Sequence, residues 1–83
     1  APNVVDYMPV GPDYGISKLE PPEHFLGKRV GDLDLRARYG LTLLLIERKE
    51  KVLLHPRLDE TVQPGDLLVV VGLDEAMEGL RAS

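Results

Sequence analysis

Cysteine is absent from this chain, so neither disulfides nor thiolate metal sites can supplement its core. That absence fits a reducing compartment. Tryptophan is absent as well, and Phe25 with three tyrosines makes up the whole aromatic complement. There is no aromatic platform on which bases could stack. Fourteen Asp and Glu against ten Lys and Arg give a net charge of −4, which repels a nucleic-acid backbone. Long apolar runs are missing too. The longest, residues 41–46 and 67–71, are far too short to span a bilayer, which argues against direct membrane insertion.

Catalytic raw material is equally scarce. His24 and His55 are the only histidines, and neither sits in an H-x-x-x-H or H-E-x-x-H spacing. Ser17 and Ser83 are the only serines, with no G-x-S-x-G elbow around either. Gly27-Lys28-Arg29 lacks both the upstream glycine and the hydroxyl residue of a P-loop. Asp32 and Asp34 lie two apart on a predicted helix and so point in different directions. Glu20 and Glu23 flank two prolines without a partner acid. No general acid–base pair can be nominated, and the chain reads as a non-enzyme.

Eighty-three residues make at most one domain, small enough to bury only about 60–65% of its unfolded surface. Residues 1–15 carry Pro2, Pro9, Gly11, Pro12 and Gly15, which is linker chemistry. The opening on Ala1, without a signal-peptide pattern, reads as a piece of a longer protein entered at a linker or lead-in. Val4, Val5, Tyr7 and Met8 are apolar enough to pack on a neighbouring domain. The domain itself is expected over residues 16–83.

Residues 16–19 predict a short strand stopped by Pro21-Pro22. Val30, Leu33 and Ala37 fall at helical spacing, flanked by Leu35 and Tyr39, and predict one helix of about two and a half turns. Asp32 and Asp34 lie toward its start, Arg36 and Arg38 toward its end, and Gly40 terminates it. Residues 41–46 predict a strand with Leu43 and Leu45 on one face, Leu44 and Ile46 on the other. Both faces are apolar, so one meets the domain's own core and the other a partner. A charged turn at residues 48–51, formed with a bulge, leads into a strand at 52–55 that Pro56 stops. A polar loop follows, and Pro64-Gly65-Asp66 is a type II turn signal. The apolar strand 67–71 ends at Gly72, and Asp74 is placed to cap a last helix carrying Ala76, Met77 and Leu80 inward. The fold class is α+β: a small β-rich domain of four to five short strands and two short helices.

One small-anion site emerges from the residues. Lys28, Arg29, Arg36 and Arg38 form a basic run that is either a solvated helix face or a cradle for an anion. Arg36 can lean toward Thr42 and the apolar floor of Leu43, an arrangement suited to a purine nucleotide. At a two-fold interface such a pocket is duplicated, and one ligand bridges two chains. The alternative, which composition alone favours, is a pairing of Arg36 with Asp32 at i,i+4.

The ordered series Leu26-Gly27-Lys28, Val30, residues 32–36 (DLDLR), Tyr39-Gly40, Ile46, Arg48, Pro56, Gly65-Asp66 and Gly72 resembles the TrkA C-terminal domain family. This is the C-terminal domain of RCK proteins, and the chain is most like the Ktr- and Trk-type potassium-uptake regulatory subunits. The resemblance implies a dimerising, cytoplasmic regulatory domain, peripheral to the membrane through a transporter partner. It implies a preceding Rossmann-type nucleotide-binding domain, for which no G-x-G-x-x-G occurs here. Several Ktr-type relatives bind cyclic di-AMP at the dimer interface. Their contacts correspond to Asp34, Leu35, Arg36, Thr42, Leu43 and Pro56, with Leu41, Leu43 and Leu45 facing the second chain. Thr42 stands where binders often have Asn. Arg29 stands where many relatives have a capping Ser, a change expected to cost about 1 kcal/mol of helix stability. Two further readings stay open, a purely structural dimerisation module and a regulatory domain of another ion transporter, such as a cation/proton antiporter or an anion carrier.

Overall fold

The structure, a computed structural model, describes residues 2–83. Five strands form one wholly antiparallel sheet: β1 (Val4–Val10), β2 (Tyr14–Leu19), β3 (Thr42–Arg48), β4 (Lys51–Leu54) and β5 (Leu67–Leu73). Their spatial order is β1-β2-β5-β3-β4, so the last strand enters between the two hairpins. A single 3₁₀ turn, Glu23–Phe25, and two short helices, α1 (Val30–Leu33) and α2 (Leu35–Tyr39), connect β2 to β3. Helix α3 (Asp74–Arg81) follows β5 directly. The α+β reading therefore holds, with several differences in detail.

The segment before Ile16, expected to be irregular, supplies β1, paired to β2 through a turn at Gly11 with φ +64°. The single predicted helix is two. Asp34 adopts a left-handed conformation, φ 49° and ψ 48°, and breaks the chain between α1 and α2. Asp is among the few residues that tolerate this region. Arg48 and Lys51 pair directly around a two-residue turn, Lys49-Glu50, with Lys49 at φ 57°, in place of the expected bulged loop. Strand β5 runs through Gly72 rather than ending there. The Asp74 side chain makes no cap and instead accepts the Tyr7 hydroxyl at 2.6 Å, a bond that raises the Tyr7 pKa.

The helices cover one face of the sheet. Leu19, Ile46, Leu68 and Val70 meet Phe25, Leu33, Leu35, Met77 and Leu80 there, all buried. Gly72 lies on this face under the α2–β3 connection. A Cβ added at Gly72 would stand 2.7 Å from Leu41 Cδ2 and 3.1 Å from Gly40 O, so only glycine lets the connection cross so closely.

A β-bulge reverses one expectation. Leu43 pairs with Val70, but Leu45 pairs with Val69, so Leu44 is an extra residue and the alternation slips by one. Leu43 and Ile46 therefore face the core, while Leu45 turns to the opposite face with Val69. Leu41 is buried in the core at 1% exposure. Of the three leucines expected to face a second chain, only Leu45 lies on the open side of the sheet. Among the described residues no helix covers that side. It carries Met8, Ile16, Val71 and Leu54, crossed by a Lys18–Glu47 ion pair at 2.9 Å.

The loop from β4 to β5 is held by Arg48. Its guanidinium donates to both carboxylate oxygens of Asp66, at 2.9 and 3.0 Å, to Glu60 at 3.0 Å and to the Thr61 carbonyl at 3.0 Å. Asp66 is buried and also accepts the Gln63 N–H at 2.8 Å. Burial alone pushes the Asp66 carboxyl up, but its bonds to Arg48 and Gln63 outweigh that and leave it below its ordinary value. The Arg48 guanidinium is pushed up by the bond to Asp66, against the opposing pull of burial.

Replacing Asp66 by Ala removes the bidentate half of the Arg48 contacts and leaves Glu60 and the Thr61 carbonyl in place, and is expected to cost about 1.5–3 kcal/mol in a urea titration. The depressed Asp66 pKa contributes stability that is complete above its unfolded value near 3.8 and is lost as pH falls through the lower folded value. Asp66→Asn should therefore melt lower at pH 7 and lose less stability than wild type on acidification below pH ~4. Gly72→Ala is expected to lower stability by about 1–3 kcal/mol through overpacking against Leu41 and Gly40, read as a fall in melting temperature.

Candidate functional site

A concavity of about 290 Å³ opens where α1, α2, the start of β3 and the segment after β4 converge. Its lining includes Asp34, Leu35, Arg36, Thr42, Leu43 and Pro56, all six residues nominated from sequence, together with Val30, Gly31, Leu41 and Leu58. The local backbone explains the convergence. The left-handed Asp34 turns the chain so that α2 starts beside α1. Gly40, at φ 72°, ends α2 by donating its N–H to the Arg36 carbonyl at 3.0 Å, and this points Thr42 and Leu43 back along the helix. His55 takes φ 47° and donates its N–H to the bulged Leu44 at 2.9 Å, which brings Pro56 to the rim.

The charges at this site are unengaged. Asp32, the alternative partner for Arg36, is bonded instead by Arg29 Nε at 3.2 Å. Among the described residues Arg36 has no ion pair, and its side chain is exposed. Arg38, by contrast, lies 5.9 Å from the Tyr39 ring centroid. The basic run thus divides: Arg29 and Arg38 have neighbours of their own, and Arg36 is the free cation at the concavity. Arg29, at the N-cap of α1, makes no side-chain cap bond. The floor is apolar, with Leu35 and Leu41 buried and Leu43 half-buried. A guanidinium beside an apolar floor, with a hydroxyl at Thr42, can hold a ligand that combines an anionic group with a flat apolar body.

Sequence reasoning did not nominate Val30, Gly31 or Leu58. Leu58 had a readable signal, as the one apolar residue in the polar run Arg57-Leu58-Asp59-Glu60. Val30 and Gly31 had none, because their place depends on the loop that crosses α1. A larger hollow, about 930 Å³, lies beside Pro21, Pro22 and residues 81–83. Its one cation, Arg81, is already bonded to the Pro2 carbonyl and to Glu78. Among the described residues no group of His, Cys, Asp and Glu is placed to hold a metal ion, and no helix is long and apolar enough to cross a membrane.

Comparison with known proteins gives this geometry a context. Two relatives from Bacillus subtilis (strain 168) are Ktr system potassium uptake protein C, 30% identical over 70 residues, and Ktr system potassium uptake protein A, 31% identical over 70 residues. Both alignments cover 84% of this chain and 32% of the relative, so the chain spans about a third of the length of these proteins. Among solved structures, the RCK C domain of the potassium transport protein KtrA in complex with cyclic di-AMP superposes with a TM-score of 0.76. That match is 28% identical and covers 81% of this chain and 79% of the other. The GsuK channel bound to NAD superposes at 0.71 with 25% identity, over 82% of this chain and 13% of that one. The GsuK RCK domain, at 20% identity, shares the fold over 98% of this chain and 18% of its own, with a TM-score of 0.80. The TrkA-C domain profile matches residues 16–83, and the chain belongs to the TrkA-C domain family.

Proposed function

We propose that this chain is the ligand-sensing regulatory domain of a potassium-uptake gating subunit, that it forms a homodimer, and that it binds cyclic di-AMP across the two-fold axis. The observation that carries the reading is the concavity itself. Arg36 stands free beside an apolar floor, and the residues around it are those that the family resemblance nominates. The KtrA domain solved with cyclic di-AMP supports the choice of ligand. One concavity of about 290 Å³ is at the small end for a ligand site and suits one half of a symmetric dinucleotide, with the second copy holding the other half.

The mechanism is a shift of populations. A ligand that contacts two copies stabilises the dimer geometry in which both concavities face it, and by no more than its difference in affinity between geometries. In a full-length subunit the nucleotide-binding domain passes that geometry to a membrane potassium transporter, which keeps the subunit cytoplasmic and peripheral to the membrane. The domain's part is binding, with no catalysed reaction.

A second reading, a dimerisation module without a ligand, is favoured by the uncovered apolar side of the sheet around Leu45, Val69 and Val71. Isothermal titration with sedimentation separates the two. Wild type is expected to take up one cyclic di-AMP per dimer. Arg36→Ala should weaken binding by about 1.5–3 kcal/mol, the range for a hydrogen bond to a charged group. Its melting temperature should stay at the wild-type value, because the Arg36 side chain has no ion pair to lose. No heat from wild type, with a melting temperature indifferent to nucleotide, selects the ligand-free module.

A further inference from the structure

Among the described residues, every buried apolar side chain of the core lies between Leu19 and Leu80, so the core is complete without β1. All seven residues of β1 are exposed, and the TrkA-C profile begins at Ile16, beyond the strand. What holds β1 is its ladder with β2 and a few contacts at its ends. The Tyr7 ring lies over Gly15, where a Cβ would collide with it. Its hydroxyl donates to Asp74 Oδ1 at 2.6 Å, at the start of α3. At the other end of α3, Arg81 Nε donates to the Pro2 carbonyl at 3.2 Å, and the Glu20 N–H donates to the Asn3 carbonyl at 3.0 Å.

Between those contacts β1 and α3 stand apart. A hollow of about 330 Å³ separates them, lined by Val4, Tyr7, Ser17 and Met77 among others. The Ser17 hydroxyl there is buried and has no hydrogen-bond partner among the described residues. An unpaired buried hydroxyl is unfavourable relative to a hydrated one, so the docked strand carries a penalty that its departure removes. The turn is built to allow that departure. Its β2 side is anchored, because the Asp74 N–H donates to the Asp13 carbonyl at 2.9 Å, which leaves Gly11 and Pro12 as the joint. The outer edge of β1 is blunted: Asp6 Oδ1 accepts the Tyr7 N–H at 2.9 Å, and Pro9 has no N–H to offer. The β2 strand beneath it, Tyr14–Leu19, has no proline and no such guard.

We infer that β1 is a releasable strap, which leaves and rejoins β2 by hinging at residues 11–12 while the rest of the domain stays folded, with the Tyr7–Asp74 bond as its latch. In place, it ends the sheet on a blunted edge. Released, it uncovers the pairing edge of β2 and the Ser17 hydroxyl. Opening of this kind is governed by the contacts that hold the one element, not by the stability of the whole. The inference stands independently of the ligand reading.

The test is residue-resolved amide hydrogen exchange on the whole chain, as wild type, Tyr7→Phe and Ser17→Ala. The Tyr7 N–H is turned away from β2, so its cross-strand partner Ser17 is turned toward β5, while the Ile16 and Lys18 amides face β1. In wild type, Ile16 and Lys18 are expected to exchange at least tenfold faster than Ser17 and the amides of β5. Tyr7→Phe should speed Ile16 and Lys18 at least fivefold and leave Ser17 and β5 unchanged. Ser17→Ala should slow Ile16 and Lys18 at least threefold relative to the β5 amides. Equal rates for Ile16, Ser17, Lys18 and β5 in wild type overturn the inference, because β1 then opens only with the whole domain. Rates at Ile16 and Lys18 that are indifferent to both substitutions, or that move together with those of β5, overturn it as well.

Discussion

The Arg48–Asp66 pair is the constraint on which the rest of the domain hangs. Arg48 is the last residue of β3 and Asp66 the last before β5, so the bidentate contact fixes where one strand ends and its neighbour begins. The guanidinium's remaining donors reach Glu60 and the Thr61 carbonyl, which orders the loop between β4 and β5. That loop is the scaffold for the segment from Gly27 into α1. Val62 accepts the Gly27 N–H and donates to the Lys28 carbonyl, and the Leu58 and Glu60 carbonyls hold the first N–H groups of α1. One ion pair, buried at Asp66 and half-buried at Arg48, therefore positions a helix to which neither partner is hydrogen-bonded, and with it a wall of the concavity. A domain this short has little hydrophobic area with which to fix such a loop, and a charged fork with four acceptors supplies the specificity instead.

Much of this was legible in the sequence where the cause is local. Gly40 after Tyr39, Pro56 after a β-run and Pro64-Gly65-Asp66 before another each mark a boundary, because their backbone preferences act within a residue or two. The six residues nominated for the site were chosen through their order along the chain, and they line one concavity. What the sequence concealed depends on distant partners. Asp34 carries no mark that it will leave the helical region; α1 and α2 each pack a leucine, Leu33 and Leu35, into the core, and only a break between them allows both to be buried. Asp74 looked like a helix cap because its competitor, the Tyr7 hydroxyl, lies 67 residues away. The seven exposed residues of β1 show no burial pattern, so pairing with β2 had no hydrophobic signature to read.

The same distinction explains the dimer expectation. The strand apolar on both faces has one side that no helix covers among the described residues, but assigning its leucines to sides required an unbroken alternation. The bulge at Leu44 put Leu43 into the core and sent Leu45 outward. The uncovered side is thus composed differently from the one expected, with Leu45 joined by Val69, Val71 and Ile16 from the central strands.

The bulge also constrains how this chain can vary. Residues 42–43 and 45–48 obey the same two faces only because Leu44 resets their parity. Loss of Leu44 itself would leave Leu43–Val70 and Leu45–Val69 as consecutive pairs of a regular ladder, with Ile46 still in the core. What would go with it is the carbonyl that accepts the His55 N–H and brings Pro56 to the rim. Gaining a residue between Leu43 and Leu45 has no such remedy, because it would carry Ile46 out of the core and Glu47 into it. The strand can therefore be shortened by its bulge at the expense of the rim, whereas it cannot be lengthened without losing the core.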